Sequence, residues 1–248
     1  MRKTNYHSHT YRCNHASGKD EQYVLSAIDV GFEIYGFSDH TPWPFHPFEW
    51  DYYRMEISDL DGYLKSVESL KEKYKDKITI YTGLEAEYIP DRMDWLKKLK
   101  EDKLDFLIFG NHYFRFISPD RFYGSVWTDL IEHYLDDSYN ALSSGIYDFF
   151  AHPDFFLRSI HVIDRKCEDA FEKLCLWAKE FNTPLEYNLS GYNEKRKFPC
   201  DKLFQLAAKH EVPVILNGDY HRINEVLDID LYIERKSQLE KWGCVNNF

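Results

Sequence analysis

The sequence predicts an α/β fold in which seven parallel strands form a closed or nearly closed TIM-like barrel. Seven short segments rich in Ile, Val, Phe and Tyr recur within about 220 of the 248 residues, and longer segments of helical period separate them. Strands that alternate with helices form right-handed βαβ units and a parallel sheet. No Gly/Ser/Pro-rich linker divides the chain. We therefore expect one domain over residues 1–248, with a doubly wound open sheet as the alternative.

The predicted strands leave room for a helix after each of them. They are residues 3–8, 33–38, 78–86, 105–111, 147–151, 184–189 and 213–218. Between them, apolar residues three and four positions apart predict amphipathic helices whose apolar faces cover the sheet. The clearest such sets are Leu60, Tyr63, Leu64, Val67, Leu70 and Tyr74; Trp127, Leu130, Ile131, Tyr134 and Leu135; and Cys167, Ala170, Phe171, Leu174, Ala178 and Phe181.

Composition limits the class of protein and its partners. Hydrophobic residues make up 44% of the chain, enough for a sizeable core and against disorder. The formal charge of −11 disfavours non-specific binding to nucleic acid or anionic membranes, and no apolar run is long enough to span a membrane. The five cysteines form no Cys-x-x-Cys pair and the N-terminus lacks a secretory hydrophobic segment, so we expect a cytoplasmic protein with reduced thiols. The oligomeric state stays open.

Two histidines, His7 and His9, end the first predicted strand. Because side chains two apart on a strand share a face, both imidazoles point the same way. Neutral imidazole is a common ligand of zinc, iron and manganese. A single His-x-His is more often a structural or surface pair than a metal site. Here the metal interpretation is favoured because apolar strands repeatedly stop at a histidine or a carboxylate.

Six of the seven predicted strands end at such residues. They are His7 and His9, Asp39 and His40, Glu85 and Glu87, His112, His152, and Asp219 and His221. Barrel enzymes gather their chemistry at the carboxyl ends of their strands, so we predict a convergent metal site. A carboxylate bridges two cations and an imidazole does not. Glu85 and Glu87 share a strand face, and spacing alone does not choose the bridge between them. Asp39 is interpreted as a residue that orients a ligand.

These motifs resemble, in order and over essentially the whole chain, the PHP superfamily, named for polymerase and histidinol phosphatase. Cys-Asn-His-Ala-Ser-Gly from Cys13, Gly-Phe-Ser-Asp-His-Thr-Pro from Gly36 and Gly-Leu-Glu-Ala-Glu-Tyr-Ile-Pro from Gly83 are most similar to its monofunctional histidinol-phosphatase branch. The resemblance implies a distorted (β/α)7 barrel that holds a trinuclear cluster. It therefore predicts two to three zinc, iron or manganese ions.

The resemblance also implies how the ligands divide among three metals. The first set is His7, His9, Glu85 and Asp219; the second is Glu85, as a bridge, with His112 and His152; the third is His15, His40 and His221. Glu85 and Asp219 are the expected catalytic residues. Asp219, a metal-bound water and a histidine at the mouth are the candidates for the acid that protonates the leaving group.

Such a cluster predicts hydrolysis of a small phosphomonoester, because paired cations bind phosphate oxygens and lower the pKa of a bridging water. The resemblance implies L-histidinol phosphate, in histidine biosynthesis. A PHP-type phosphodiesterase or exonuclease, or a protein-tyrosine phosphatase, is the alternative. Arg158 and Arg196 are expected to bind the phosphate, as the resemblance also implies. Glu186, or Glu87, is expected to bind the substrate ammonium.

The loop after His40 is rich in aromatic residues. Between Thr41 and Glu56 it carries Trp43, Phe45, Phe48, Trp50, Tyr52 and Tyr53. A loop this apolar either covers a ring-bearing substrate or packs on the barrel rim or on a partner subunit. The sequence does not choose between these roles.

Overall fold

Seven parallel strands alternate with helices in the predicted order. The computed structural model describes residues 2–44, 52–113, 123, 131–160 and 162–244. The strands are β1 (Thr4–Asn5), β2 (Ile34–His40), β3 (Thr79–Ala86), β4 (Phe106–Gly110), β5 (Phe149–Ala151), β6 (Leu185–Asn188) and β7 (Val214–Asn217). Their order in the sheet is the order in the chain. All seven predicted strands are confirmed.

Hydrogen bonds just beyond β1 and β7 bring the two edges of the sheet together. Ser8 and Tyr220 form a parallel bridge. The backbone N–H of His9 donates to the carbonyl of Tyr220 at 2.9 Å, and the N–H of Tyr220 donates to the carbonyl of His7 at 3.2 Å. The result is the nearly closed barrel that the sequence predicts, and its seam places the residues after β1 against those after β7.

Helices cover the outside of this sheet. Within the described residues they are α1 (Asp20–Asp29), α2 (Leu60–Tyr74), α3 (Met93–Lys103), α4 (Ile131–Ser143), α5 (Arg165–Glu180), α6 (Leu189–Asn193), α7 (Asp201–Lys209), α8 (Ile223–Leu227) and α9 (Ile229–Trp242). The predicted apolar sets lie on α2, α4 and α5, except that Phe181 directly follows α5 and that Trp127 and Leu130 lie outside the described residues. Asp164 begins α5 by accepting the N–H of Cys167 at 3.2 Å. None of the described helices is long and apolar enough to cross a membrane.

The inside of the barrel has an apolar layer below a polar one. Phe106, Ile108, Phe149, Ala151 and Ile215 form the apolar layer, separate from the larger core under the helices. Its packing requires a glycine on β3, because a Cβ at Gly83 would lie 2.4 Å from the Phe106 ring. Towards the carboxyl ends of the strands, the buried side chains become histidine, glutamate and asparagine. The sheet therefore presents its ionisable residues at one end.

Candidate metal centre

All nine predicted ligand residues converge at the carboxyl end of the barrel, and the seam between β1 and β7 forms the first group. The Nε2 atoms of His7 and His9 lie 3.1 Å apart. Asp219 Oδ1 lies 3.4 Å and 3.0 Å from these two atoms, and Glu85 Oε2 lies 3.5 Å and 3.6 Å from them. The four side chains thus surround one small volume, as the resemblance implies for the first metal.

Glu85 faces the second predicted group, His112 and His152, with its other carboxylate oxygen. Its Oε1 lies 2.9 Å from His152 Nε2 and 3.3 Å from His112 Nε2. The neighbouring strand also reaches this carboxylate, because His40 on β2 pairs in register with Glu85 on β3 and its Nδ1 lies 3.1 Å from Oε2. A carboxylate whose two oxygens face separate sets of imidazoles has the geometry of a bridge. The structure therefore favours Glu85 over Glu87 for that role.

All three histidines of the third predicted group line a cavity at this end of the barrel. The Nε2 atoms of His15 and His221 are 2.9 Å apart, and the rings of His9 and His40 are 4.4 Å apart between centroids. Candidate ligand atoms of His9, His40 and His221 lie within 4.8 Å of one another, and Cys13 makes a comparable group with His15 and His221. The sequence reasoning did not name Cys13 as a ligand. Its position two residues before His15 was the available signal.

Two features of the backbone make room for this arrangement. His152 and Asp219 have φ angles of 32° and 51°, in a region that side chains other than glycine rarely adopt and that is often strained at functional sites. On β4, a Cβ at Gly110 would lie 2.4 Å from Glu85 Oε1 and 2.6 Å from His112 Cε1. Only glycine at that position leaves space for the bridging carboxylate.

Each group contains a histidine whose Nδ1 has an oxygen partner, so its Nε2 is left for the centre. These pairs are His7 with Glu186 at 2.8 Å, His112 with Glu87 at 3.1 Å, His15 with the Cys13 carbonyl at 2.8 Å, and His221 with the Asp219 carbonyl at 3.0 Å. Asp39 Oδ1 lies 3.5 Å from His9 Nδ1, where an orienting residue is expected. Metal-binding histidines in general are held in this way.

The charges of these side chains are strongly coupled. Burial lowers the pKa of His7, but the carboxylates of Glu186, Asp219 and Glu85 outweigh burial and raise it to about 10. Burial raises the pKa of Glu85, but the surrounding histidines, His112 first, hold it well below its usual range. The centre thus carries buried carboxylates that are stabilised by positive charge.

The donor set fits divalent cations. Buried polar atoms normally have hydrogen-bond partners. Twelve buried side-chain atoms of the described residues make no hydrogen bond, and five of them belong to the convergent groups: His9 Nδ1, His40 Nδ1, Glu85 Oε2, His152 Nδ1 and Asp219 Oδ1. Imidazole nitrogens with carboxylate oxygens are the ligands that zinc, iron and manganese accept. We conclude that the residues present are suited to hold the predicted ions.

Glu186 does not take the predicted position at the substrate. Its side chain is fully buried; Oε1 accepts from His7 Nδ1 and from Asn217 Nδ2 at 3.0 Å, and Oε2 accepts from the His152 N–H and Asn188 Nδ2, both at 2.9 Å. It is absent from the cavity wall. With its oxygens directed at four donors beneath the histidines, Glu186 holds His7 and His152 in place and is not available to an ammonium group.

A cavity of about 480 Å³ opens above the three groups. Arg158, predicted to bind phosphate, is half-buried in its wall. Arg196 is exposed and outside the wall; its Nε lies 2.9 Å from Glu194 Oε2, and Glu194 does line the cavity. Burial and the positive charge of Arg196 lower the pKa of Arg158, so the two guanidinium groups are near each other. The wall also contains Arg54, which sequence reasoning missed although it ends the aromatic loop.

The aromatic loop divides between two roles. Tyr53 lines the cavity, and its ring meets that of His15 edge-on at 5.6 Å between centroids. Trp43 is buried and donates its indole N–H to Glu87 at 2.8 Å, so it packs on the barrel rim. Phe45, Phe48 and Trp50 lie outside the described residues.

Comparison with known proteins supports this description. The family model for the PHP domain matches residues 5–189. A probable histidinol-phosphatase of Deinococcus radiodurans is 27% identical over 237 residues, covering 89% of this chain and 86% of the relative. The histidinol-phosphatase of Bacillus subtilis is 25% identical over 258 residues, covering 91% and 96%. The crystal structure of histidinol phosphate phosphatase from Lactococcus lactis, complexed with zinc, L-histidinol and phosphate, has a TM-score of 0.78 at 17% identity, covering 99% of this chain and 95% of that chain. At that identity, the structural likeness establishes the shared fold.

Proposed function

Since the chain belongs to the PHP domain family, we propose that it is a metal-dependent phosphomonoesterase whose substrate is L-histidinol phosphate. The observation that carries the proposal is the position of Glu85, whose two oxygens face separate imidazole groups beneath a cavity lined by Arg158. The names of the curated relatives, and the L-histidinol and phosphate in the Lactococcus lactis structure, support this choice of substrate.

The chain's own residues have distinct parts in this reaction. Divalent cations, when bound, supply positive charge for the phosphate oxygens and a water of lowered pKa as the nucleophile. Glu85 lies between two sets of imidazoles, and the carboxylates of Glu186 and Glu87 hold the rings of His7 and His112 with Nε2 facing inward. Asp219 lines the cavity. Burial raises the pKa of Asp219, but His7 and the neighbouring histidines hold it well below its usual range, so its carboxylate is ionised. We assign to it the transfer of the proton that the attacking water gives up to the leaving alkoxide.

Substrate recognition falls to the cavity wall. Arg158 is one of three arginines in the cavity wall, with Arg54 and Arg222, and is assigned to the phosphate. Arg196 stays a prediction, because it lies outside the wall and its partner in the structure is Glu194. Glu194 lines the cavity and Glu186 does not, so Glu194 is our choice for the substrate ammonium. Tyr53 lines the cavity, and a substrate imidazole can contact its aromatic ring.

Steady-state kinetics of the metal-loaded enzyme test the substrate. Removing the cationic and aromatic contacts should cost about 3 kcal/mol of transition-state binding. We therefore expect kcat/KM for L-histidinol phosphate to exceed that for p-nitrophenyl phosphate by about 10²-fold or more. Equal turnover of the two esters would indicate a generic phosphatase, and faster hydrolysis of bis(p-nitrophenyl) phosphate or single-stranded DNA would indicate a phosphodiesterase.

One variant separates recognition of the ammonium from the chemistry. Glu194→Gln should lower kcat/KM for L-histidinol phosphate while leaving that for p-nitrophenyl phosphate, which has no ammonium, within about twofold. A parallel loss on both esters would remove Glu194 from this role.

The alternative function, a phosphodiesterase or exonuclease that acts on nucleic acid, has less support. Glu87, Glu194 and Glu225 stand in the cavity wall beside its arginines, and this mixture of charges is unlike the basic aromatic groove that binds single strands. We also propose a cytoplasmic location, because all five cysteines are free, as is usual in a reducing compartment.

A further inference from the structure

His112 is held by a carboxylate on each side of its ring. Nε2 lies 3.3 Å from Glu85 Oε1, and Nδ1 lies 3.1 Å from Glu87 Oε1. A histidine that donates its Nδ1 proton to Glu87 presents a bare Nε2 to the centre, which is the form that binds a metal. The tautomer of His112 therefore depends on Glu87 Oε1 being held at its Nδ1.

Glu87 is only 3% exposed, and burial alone would favour its protonated form. Arg54 compensates the charge: Nη2 lies 3.1 Å from Oε1 and Nη1 lies 3.3 Å from Oε2. The guanidinium group is itself buried, and its Nη1 also donates to the carbonyl of Thr41 at 3.0 Å. This is a bidentate ion pair, which the planar guanidinium group of arginine can form and the single ammonium group of lysine cannot.

The backbone of Arg54 is tied to another part of the centre. The side chain of Asn14 donates to the carbonyls of Tyr52 and Arg54 at 2.9 Å and 3.2 Å. Asn14 has a φ of 65° and lies directly before His15. Residues 52–54 thus connect the segment that carries His15 with the pair that orients His112.

We propose that Arg54 is a positioning residue that, through Glu87, keeps His112 in the tautomer and orientation needed to bind one of the metal ions. The inference rests on the proposed metal-dependent function. Without Arg54, the Glu87 carboxylate would lose the two guanidinium contacts that fix its orientation and would keep the Trp43 indole N–H as a donor on Oε2. Oε1 would then no longer be held at His112 Nδ1, and the ring would lose the acceptor that keeps its proton off Nε2.

Metal binding provides the first test. Arg54→Met should bind one zinc equivalent per chain about 10- to 100-fold more weakly in chelator-buffered Zn²⁺ titrations, with the remaining equivalents unchanged. Arg54→Lys should show a smaller loss. Arg92→Met is the control. Arg92 lies directly before α3, at the end of the segment that Glu87 begins, and this variant should bind zinc as the unmodified chain does. ¹⁵N NMR of the zinc-loaded protein should show the His112 proton on Nδ1 in the unmodified chain, and a loss of that preference in Arg54→Met.

A double-mutant cycle tests whether Arg54 acts through Glu87. If it does, Arg54→Met should weaken zinc binding no further in the Glu87→Gln background, because a neutral amide there needs no compensating charge. Additive losses, or Arg54→Met protein with unchanged zinc affinity and His112 tautomer but lower stability, would overturn the proposal. These binding readouts need no substrate. Normal metal binding with no phosphatase activity in the unmodified chain would therefore count against the proposed function and leave the role of Arg54 standing.

Discussion

Gly110→Ala places a methyl group where the structure has the carboxylate of Glu85, the predicted bridge. The new Cβ would lie 2.4 Å from Glu85 Oε1 and 2.6 Å from His112 Cε1, whereas ordinary contacts begin at 3.4 Å. The carboxylate or the strand must therefore move by roughly 1 Å. Because Glu85 is surrounded by imidazoles on both sides, any such movement changes its distance to both sets of ligands.

The expected cost is much larger for catalysis than for folding. A misplacement of about 1 Å in an active site lowers the rate by about 10²-fold. Forcing one extra methyl group into a packed interior costs about 1–3 kcal/mol of stability. Gly110→Ala should therefore remain folded, with kcat/KM reduced about 10²-fold and with less than the full metal content.

Gly62→Ala is a matched control, because a Cβ at that position in α2 has nothing within 4 Å. Alanine is the better helix former by about 1 kcal/mol, so this variant should be slightly more stable and fully active. Elemental analysis, steady-state kinetics and thermal melts of both variants make the comparison. Gly110→Ala protein with full metal content and kcat/KM within threefold of the unmodified chain would refute the placement of Glu85.

Three further changes test separate parts of the centre. Glu85→Ala should lose at least one metal ion per chain and most activity; full metal content by elemental analysis, or activity that chelators leave unchanged, would contradict a bridging role. Arg158→Ala should raise KM strongly with metal content intact, while Arg196→Ala should have a smaller effect because Arg196 lies outside the cavity wall; unchanged KM in both would remove the phosphate assignment. Burial raises the pKa of Asp154 to about 7, so the folded chain holds this proton more tightly than the unfolded chain. The resulting stability is complete below about pH 4 and is lost as the pH rises through 7. Asp154→Asn, which keeps an oxygen for the Cys200 N–H, should lose less stability than the unmodified chain between pH 5 and 8 in urea melts, and equal losses would show that Asp154 does not titrate there.

The sequence alone predicted the strands and where their chemistry gathers. A buried parallel strand is apolar until its end, so the change to histidine or carboxylate marks the carboxyl end of each strand along the chain. Parallel strands place those ends together, so the convergence of eight of the nine predicted ligands follows from topology, whereas the resemblance supplied His15. Local sequence patterns were therefore enough to predict the seven strands and the α/β barrel that the structure confirms.

The tertiary structure decided what each of the neighbouring carboxylates does. Glu85 and Glu87 lie on one strand face and differ by two positions, and only the contacts separate a carboxylate between imidazole groups from one paired with Arg54. Glu186 lies inside its strand, β6, yet donors at the ends of four strands enclose it, and it is absent from the cavity wall. Alternation along a strand tells which side chains face inward. How deep each one lies, and which partner from a distant part of the chain neutralises its charge, is set by packing between segments that are far apart in sequence.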